Sequence, residues 1–249
     1  MKIGIIGFGE MGRSLAAGFI KRGNIPENIQ IYDNSERAIK KAVSLGVTSV
    51  DFDTLIENNE TVIIALPKKA YLEMNFDKAK LEGKTVISCM AEVKFNELKN
   101  NLPAQVIRAI PTLAAENGVS IVGLCFGEYD GDKDVIRNMF SKVGTIIECV
   151  ESELTQLTAL AACGLCYAAY IMNCFINTAE NLGFDRETGK EIVEKTFNAA
   201  MEMGDYELLI GKIAGRGGIT IKGVDVMNEG NVHKKIDRAF KTVYAEFLK

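Results

Sequence analysis

Apolar residues over the first 150 positions come in short runs separated by amphipathic stretches, and this pattern changes only once along the chain. Runs at 2–6, 29–32, 61–65, 84–88, 105–109, 118–125 and 144–148 read as strands. Several are apolar at consecutive positions, as strands covered on both faces require. Between them, 11–22, 35–45, 68–76, 94–98 and 132–141 carry apolar residues at helical spacing. Strands alternating with helices predict an α/β fold with a parallel sheet covered on both sides. After Glu151 the strand signal stops, and 154–182, 185–203, a short stretch near 205–214 and 232–248 read as helices. Gly183 fits the stop of the first, and Asp185 with Thr188 fits a fresh start. The expected organisation is an α/β domain over 1–150 and an all-helical domain over 151–249. No linker rich in Pro, Gly or Ser separates them.

The segment Gly7-Phe8-Gly9-Glu10-Met11-Gly12 has G-x-G-x-x-G spacing. It follows an apolar strand (Ile3, Ile5, Ile6) and opens a helix with Leu15, Ala16, Phe19 and Ile20 on one side, the context of a dinucleotide-binding βαβ unit. Gly7 permits a tight turn, Gly9 lets the backbone approach a pyrophosphate, and Gly12 lets helix and strand pack closely. The amides and dipole of the helix start then favour the phosphate charge. The bland reading is a purely structural turn. The second strand ends at Tyr32-Asp33, about twenty residues on, where a ribose-binding acid is expected. Asp33 would accept the ribose hydroxyls and repel a 2′-phosphate, favouring NAD. Asn34, Ser35 and Arg37 follow and could hold that phosphate, favouring NADP. Asp33 could alternatively cap the next helix. The N-terminal domain is therefore read as Rossmann-type.

Composition narrows the partners. A 249-residue chain with 47% hydrophobic and 25% charged residues is an ordinary globular protein. Its net charge of −4 gives no basic footprint, so nucleic acid is not expected. The stretch from Leu154 to Ala179 has no charge and is long enough to cross a bilayer. However, Asn173 and Asn177 share one helix face and would need partners in lipid. It is read as a buried or subunit-interface helix, not a membrane span, which predicts a homo-oligomer, at least a dimer through the C-terminal helices. Nothing at the N-terminus resembles a signal peptide, so a cytoplasmic protein with reduced thiols is expected. Cys163 and Cys166 form a C-x-x-C, either a redox pair or two small side chains in an apolar helix. His233 is the only histidine and no second cysteine pair exists, so no metal is expected.

Several segments recur in a familiar order: Gly7–Gly12, then Ala65-Leu66-Pro67-Lys68, then Ser88-Cys89-Met90-Ala91. Arg108-Ala109-Ile110-Pro111, Thr158-Ala159-Leu160, Gly164 and Tyr167 follow, then Gly217-Gly218-Ile219-Thr220-Ile221 and Val226 to Val232. In this series the chain resembles the pyrroline-5-carboxylate reductase family over nearly its whole length. The resemblance implies a Rossmann domain and a helical domain that dimerises by interleaving. It also implies hydride transfer from NAD(P)H to a cyclic imine, giving L-proline, as in proline biosynthesis. The cofactor would meet Gly7–Gly12, Asp33, Asn34, Ser35 and Arg37, together with Ala65, Leu66, Pro67, Met90 and Ala91. Because that family often prefers NADPH, the resemblance tips the choice towards NADP. A Gly-Gly-x-Thr turn at a helix start is a good carboxylate site. It gives Gly217, Gly218 and Ile219 to the substrate, and Thr220 as the hydroxyl for the imine nitrogen. Arg216 adds a cation able to hold a carboxylate bidentately.

The substrate half departs from the family. Ala161-Ala162-Cys163-Gly164-Leu165-Cys166-Tyr167 stands where Ser-Gly-Ser-Gly-Pro-Ala-Tyr is usual, and Gly215-Arg216-Gly217-Gly218-Ile219-Thr220 where Ser-Pro-Gly-Gly-Thr-Thr is usual. Pro111-Thr112-Leu113-Ala114 replaces Pro-Asn-Thr-Pro, and Asn173 replaces a glutamate. Two other functions therefore stay open. One is a β-hydroxyacid dehydrogenase-like oxidoreductase, against which stands the lack of a lysine between Gly164 and Lys190. The other is a cofactor-binding regulatory protein without catalysis. Lys68 is read either as facing the nicotinamide or as a surface residue, Tyr167 as a proton donor or as packing, and His233 as an acid or a solvated helix end.

Overall fold

The computed structural model describes residues 2–76 and 78–248. The first half folds as β1 (Ile3–Ile6), α1 (Glu10–Lys21), β2 (Ile29–Tyr32), α2 (Glu36–Ser44), β3 (Thr48–Ser49), α3 (Phe52–Asn58) and β4 (Thr61–Ile64). It continues through α4 (Lys68–Glu73), α5 (Lys78–Leu81), β5 (Thr85–Ser88), α6 (Phe95–Asn101), β6 (Gln105–Ile110), β7 (Ser120–Cys125), α7 (Lys133–Ser141), β8 (Gly144–Glu148) and α8 (Glu151–Leu157). The eight strands form one sheet in the order β3-β2-β1-β4-β5-β6-β7-β8. Alternate residues of each central strand enter opposite cores. Ile3, Ile5, Ile31, Ile63, Ile87 and Ile107 pack with Leu15, Phe19 and Phe140 on one face. Ile6, Val62, Ile64, Val86 and Val106 pack with Leu55, Tyr71 and Leu98 on the other. Covering both faces explains why the strands are apolar without alternation.

Two features differ from the pattern read in the sequence. β7 runs antiparallel to β6, pairing Arg108 with Cys125 and Ile110 with Gly123. The connection between them holds only a short 3₁₀ turn, Leu113–Asn117, whereas a parallel return needs a full crossover. Between β2 and β4 the chain also builds β3 and α3. Asp51 caps α3 by accepting from the Thr54 amide at 2.9 Å, which satisfies one of the helix's open donors.

Compact packing divides the chain between Ala162 and Cys163, later than the change of periodicity at residue 150. The reason is local: Leu154 of α8 is fully buried with Ile110 and Cys125, and its side chain lies where a Cβ on Gly123 of β7 would fall. Residues Thr158–Cys163 form a π-helical stretch after α8.

The second unit holds α9 (Gly164–Asn181), α10 (Arg186–Met203), α11 (Tyr206–Ile213), α12 (Ile219–Glu229) and α13 (Val232–Phe247). Gly189 lets α10 lie close against Ala179 of α9, where a Cβ would stand 3.0 Å from the alanine methyl. Arg186 binds the polar stripe of α9, donating to Glu180 at 2.7 Å, Asn177 at 3.4 Å and Asn173 at 3.2 Å. The two asparagines thus find a partner in an arginine. Little else is buried within the protomer, and Tyr170, Leu182, Met201, Ile210, Ile213 and Val226 are exposed. The helical stretch Glu151–Asn181 is long and apolar enough to cross a membrane by length and composition, and 6% of its most apolar window is buried in the protomer.

Candidate dinucleotide site and substrate loop

Four loops leave neighbouring strands at the carboxyl edge of the sheet. Backbone bonds align them: Gly7 donates to Tyr32 O at 2.9 Å, Ala65 to Ile6 O at 2.8 Å and Cys89 to Ile64 O at 2.8 Å. The strands concerned, β2, β1, β4 and β5, flank the point where the chain order reverses, which is where open α/β sheets take ligands. The residues predicted to meet the cofactor are therefore brought together, although they span Gly7 to Ala91.

The three glycines do different things. Gly7 has φ of +90°, and a Cβ there would sit 2.7 Å from Ala65 O, so both backbone and space demand glycine. A Cβ on Gly12 would run into Gly7 O, which is the close approach of helix to strand. Gly9 has ordinary backbone angles as N-cap of α1, and nothing lies within 4 Å of its Cβ position. No side chain caps the helix, so its first amides face an open cradle able to hold a pyrophosphate. The residues present fit a dinucleotide.

Around this cradle the remaining residues divide sharply. Phe8 is buried in the core, and its amide donates to Asp33 Oδ2 at 2.6 Å, so it shapes the loop and presents neither side chain nor free amide. Met11 packs against the same core. Glu10 would put a negative charge beside a phosphate, but Lys41 at 2.9 Å and Arg13 at 3.5 Å offset it. Lys41, through its hydrogen bond, is the main reason the Glu10 carboxyl titrates below its usual range.

Asp33 accepts the amide of Ser35 through Oδ1 at 2.8 Å, as well as that of Phe8. Its carboxylate therefore ties the glycine turn to the start of α2. Asn34 Oδ1 accepts from Tyr32 OH at 2.7 Å. The Ser35 side chain makes no capping bond to α2. Arg37 is exposed and has no ion pair among the described residues. Asp33, Asn34, Leu66, Pro67 and Met74 line a cleft of 480 Å³. Met90 is buried and donates its amide to Ser88 Oγ at 3.3 Å, so it reaches the edge through its backbone.

Lys68 pairs with Glu97 at 2.8 Å and donates to Glu92 O at 3.3 Å, which holds it on α6 and favours its structural reading. Sequence reasoning missed Arg108 as a buried cation. It is 2% exposed and donates to Glu151 Oε1 at 2.8 Å. The only signal was a charged residue inside an otherwise apolar strand.

In the second unit, Gly215 to Gly218 make a tight turn closed by Gly218 N–H donating to Gly215 O at 3.0 Å. Gly217 has φ of +80°, and Gly218 is the uncapped N-cap of α12. Arg216, Ile219 and Thr220 are exposed around this helix start, Ile219 by 87%. Tyr167 packs edge-to-face on Phe240 at 5.0 Å, in line with packing. Burial and the neighbouring Cys166 both push the Cys163 thiol up, which disfavours the thiolate a redox pair requires.

Residues 151–248 match the family model described as pyrroline-5-carboxylate reductase dimerisation, and residues 2–92 match that of NADP oxidoreductase, coenzyme F420-dependent. A pyrroline-5-carboxylate reductase of Bacillus subtilis is 24% identical, with 96% of this chain and 86% of the relative aligned. One from Staphylococcus aureus is 26% identical over 92% and 90%. The crystal structure of the Plasmodium falciparum pyrroline carboxylate reductase with NADP bound superposes with a TM-score of 0.92 at 22% identity, covering 99% of this chain and 97% of that one. A Streptomyces aurantiacus imine reductase has the same fold more distantly, with a TM-score of 0.59, 15% identity and coverage of 99% and 93%. The exposed apolar helices belong to a dimerisation domain, and the chain forms a homo-oligomer. With a cofactor cradle in its first unit and a match to this dimerisation domain in its second, the chain is an NAD(P)-dependent oxidoreductase similar over nearly its whole length to pyrroline-5-carboxylate reductases.

Proposed function

We propose that this chain uses NADPH or NADH to reduce pyrroline-5-carboxylate, or a close cyclic-imine relative bearing a carboxylate, giving L-proline in the first case. The observation that carries the reading is Gly9, whose side-chain position is open in front of an uncapped helix start. The relatives named for this reaction support the substrate class. When bound, the nicotinamide supplies the hydride. An iminium substrate is already protonated near neutral pH, so the chain's task is to position and to balance charge. Residues 1–150 hold the cofactor, and residues 151–249 contribute the substrate loop and the dimer contacts. In that loop, the amides at the start of α12 and the Arg216 guanidinium hold the carboxylate, and the Thr220 hydroxyl hydrogen-bonds the imine nitrogen.

NADP is the favoured cofactor. Both Asp33 oxygens already accept backbone amides, whereas the Ser35 hydroxyl, Arg37 and the start of α2 are available to a 2′-phosphate. The interface runs through the C-terminal helices and makes at least a dimer, with neither membrane nor nucleic acid as partner. We assign the protein to the cytoplasm, because its six cysteines lie in no spaced framework of the kind that disulfide-bonded secreted proteins carry.

Steady-state assays with pyrroline-5-carboxylate and each reduced dinucleotide test the proposal. Saturable turnover with a lower KM for NADPH is expected. Tight cofactor binding with no turnover would replace it with the regulatory reading, which the exposed Ile219 in the altered loop favours.

A further inference from the structure

We infer that Arg108 and Glu151 are a positioning pair that sets the backbone of Met90–Ala91, the segment following β5, in the geometry that cofactor binding requires. The inference rests on the reading of that segment as part of the dinucleotide site.

Arg108 lies in the middle of β6, beside Ser88 of β5, on a strand whose other central residues are apolar. Its side chain is 2% exposed. A buried guanidinium needs both a counter-charge and partners for its donors. One terminal nitrogen donates to Met90 O at 3.2 Å and Ala91 O at 3.0 Å, and the other to Glu151 Oε1 at 2.8 Å. Nε has no partner among the described residues. The same Glu151 oxygen accepts the amide of Phe95, the first residue of α6, at 2.7 Å.

One guanidinium and one carboxylate thus join four segments: the strand β6, the turn after β5, the start of α6 and the start of α8. Stability alone explains this poorly. A buried ion pair is commonly no better for stability than apolar side chains of similar volume. The planar guanidinium, however, directs one nitrogen at two successive carbonyls while its other nitrogen holds Glu151, a rigid arrangement that neither an apolar side chain nor a lysine reproduces. Those carbonyls belong to the loop that Cys89 aligns beside β4, one strand removed from the glycine turn. Arg108 itself is buried behind the loop and acts through it.

The test compares R108K, R108Q and E151Q with the wild-type oligomer. Three readouts are needed: hydrogen exchange at residues 90–93 without cofactor, Kd for NADPH and NADH by nicotinamide fluorescence, and the steady-state constants. R108Q is expected to speed exchange at 90–93 and raise the cofactor Kd at least tenfold. R108K, which keeps the charge and loses the fork, should do nearly as badly. E151Q, which keeps the acceptor for Phe95, should fall between. KM for the dinucleotide should rise more than kcat falls. If R108K and R108Q keep wild-type exchange at 90–93 and wild-type Kd and differ only in thermal midpoint, the pair is merely structural and the inference is overturned. If R108Q fails to fold, R108K and E151Q decide the matter by the same measurements. Faster exchange at 90–93 with an unchanged cofactor Kd would retain the pair as the loop's anchor but overturn its role at the cofactor. Wild-type protein that binds neither dinucleotide would instead overturn the cofactor reading itself.

Discussion

Among single residues, the glycines of the first turn separate cofactor binding from folding. Gly9→Val puts a side chain into open space at ordinary backbone angles, so its thermal midpoint should stay near wild type while affinity for either dinucleotide falls at least tenfold. Gly12→Ala presses a methyl against Gly7 O and should lower stability by about 1–3 kcal/mol, as denaturant titration would show. Equal loss of stability in both variants would refute the distinction. In the second unit, Thr220→Ala should lower turnover about 100-fold or more with cofactor Kd unchanged. Unaltered kinetics would remove Thr220 from the active site. How much of this was legible varies by residue. Gly7, Gly9 and Gly12 announce themselves by spacing and by the strand before them. The bond from Phe8 to Asp33 spans 25 residues and follows no period. Neither does the bond from Arg108 to Glu151, which spans 43, so only the folded chain reveals either.

Individual elements were read best where burial alone decides the residue type. The central strands, with apolar residues at consecutive positions, needed no neighbour to be identified. α3 escaped although Asp51 and Thr54 form a capping pair, because the helix is short and carries charge at Asp53 and Glu57. α12 is legible only as a helix start at the Gly-Gly-x-Thr turn and not in its extent, because Ile219, Thr220 and Ile221 are β-branched and follow three glycines within four residues, a composition that reads as loop. Two elements also carry measurable consequences. Replacing Ser35 and Arg37 by alanine at the start of α2 should raise KM for NADPH at least tenfold and leave KM for NADH nearly unchanged. An equal effect on both would show that this helix start does not read the 2′-phosphate. At the start of α6, Lys68 holds the Glu97 carboxyl below its ordinary value of 4.5. A lowered carboxyl adds stability above that value and loses it as the pH falls through the folded-state pKa. Glu97→Gln should therefore cost thermal stability at pH 7 and lose its difference from wild type as the acid limb is reached.

For the molecule as a whole, two units differ in how complete they are. The first buries its apolar residues within the protomer on both sides of the sheet. The second leaves Tyr170, Leu182, Ile210 and Val226 exposed within a dimerisation domain. Light scattering should give a dimer or larger, and Tyr170→Asp should shift it towards monomer and make the thermal midpoint depend on protein concentration. A wild-type monomer would overturn the interface assignment. The contrast also orders events during synthesis, when domains emerge and fold from the N-terminus. Every strand has been translated by Glu148, so the sheet can close as it emerges, while the C-terminal helices are still being added. The helices that follow are finished only by meeting another newly made chain, and until then they are what a chaperone would have to shield.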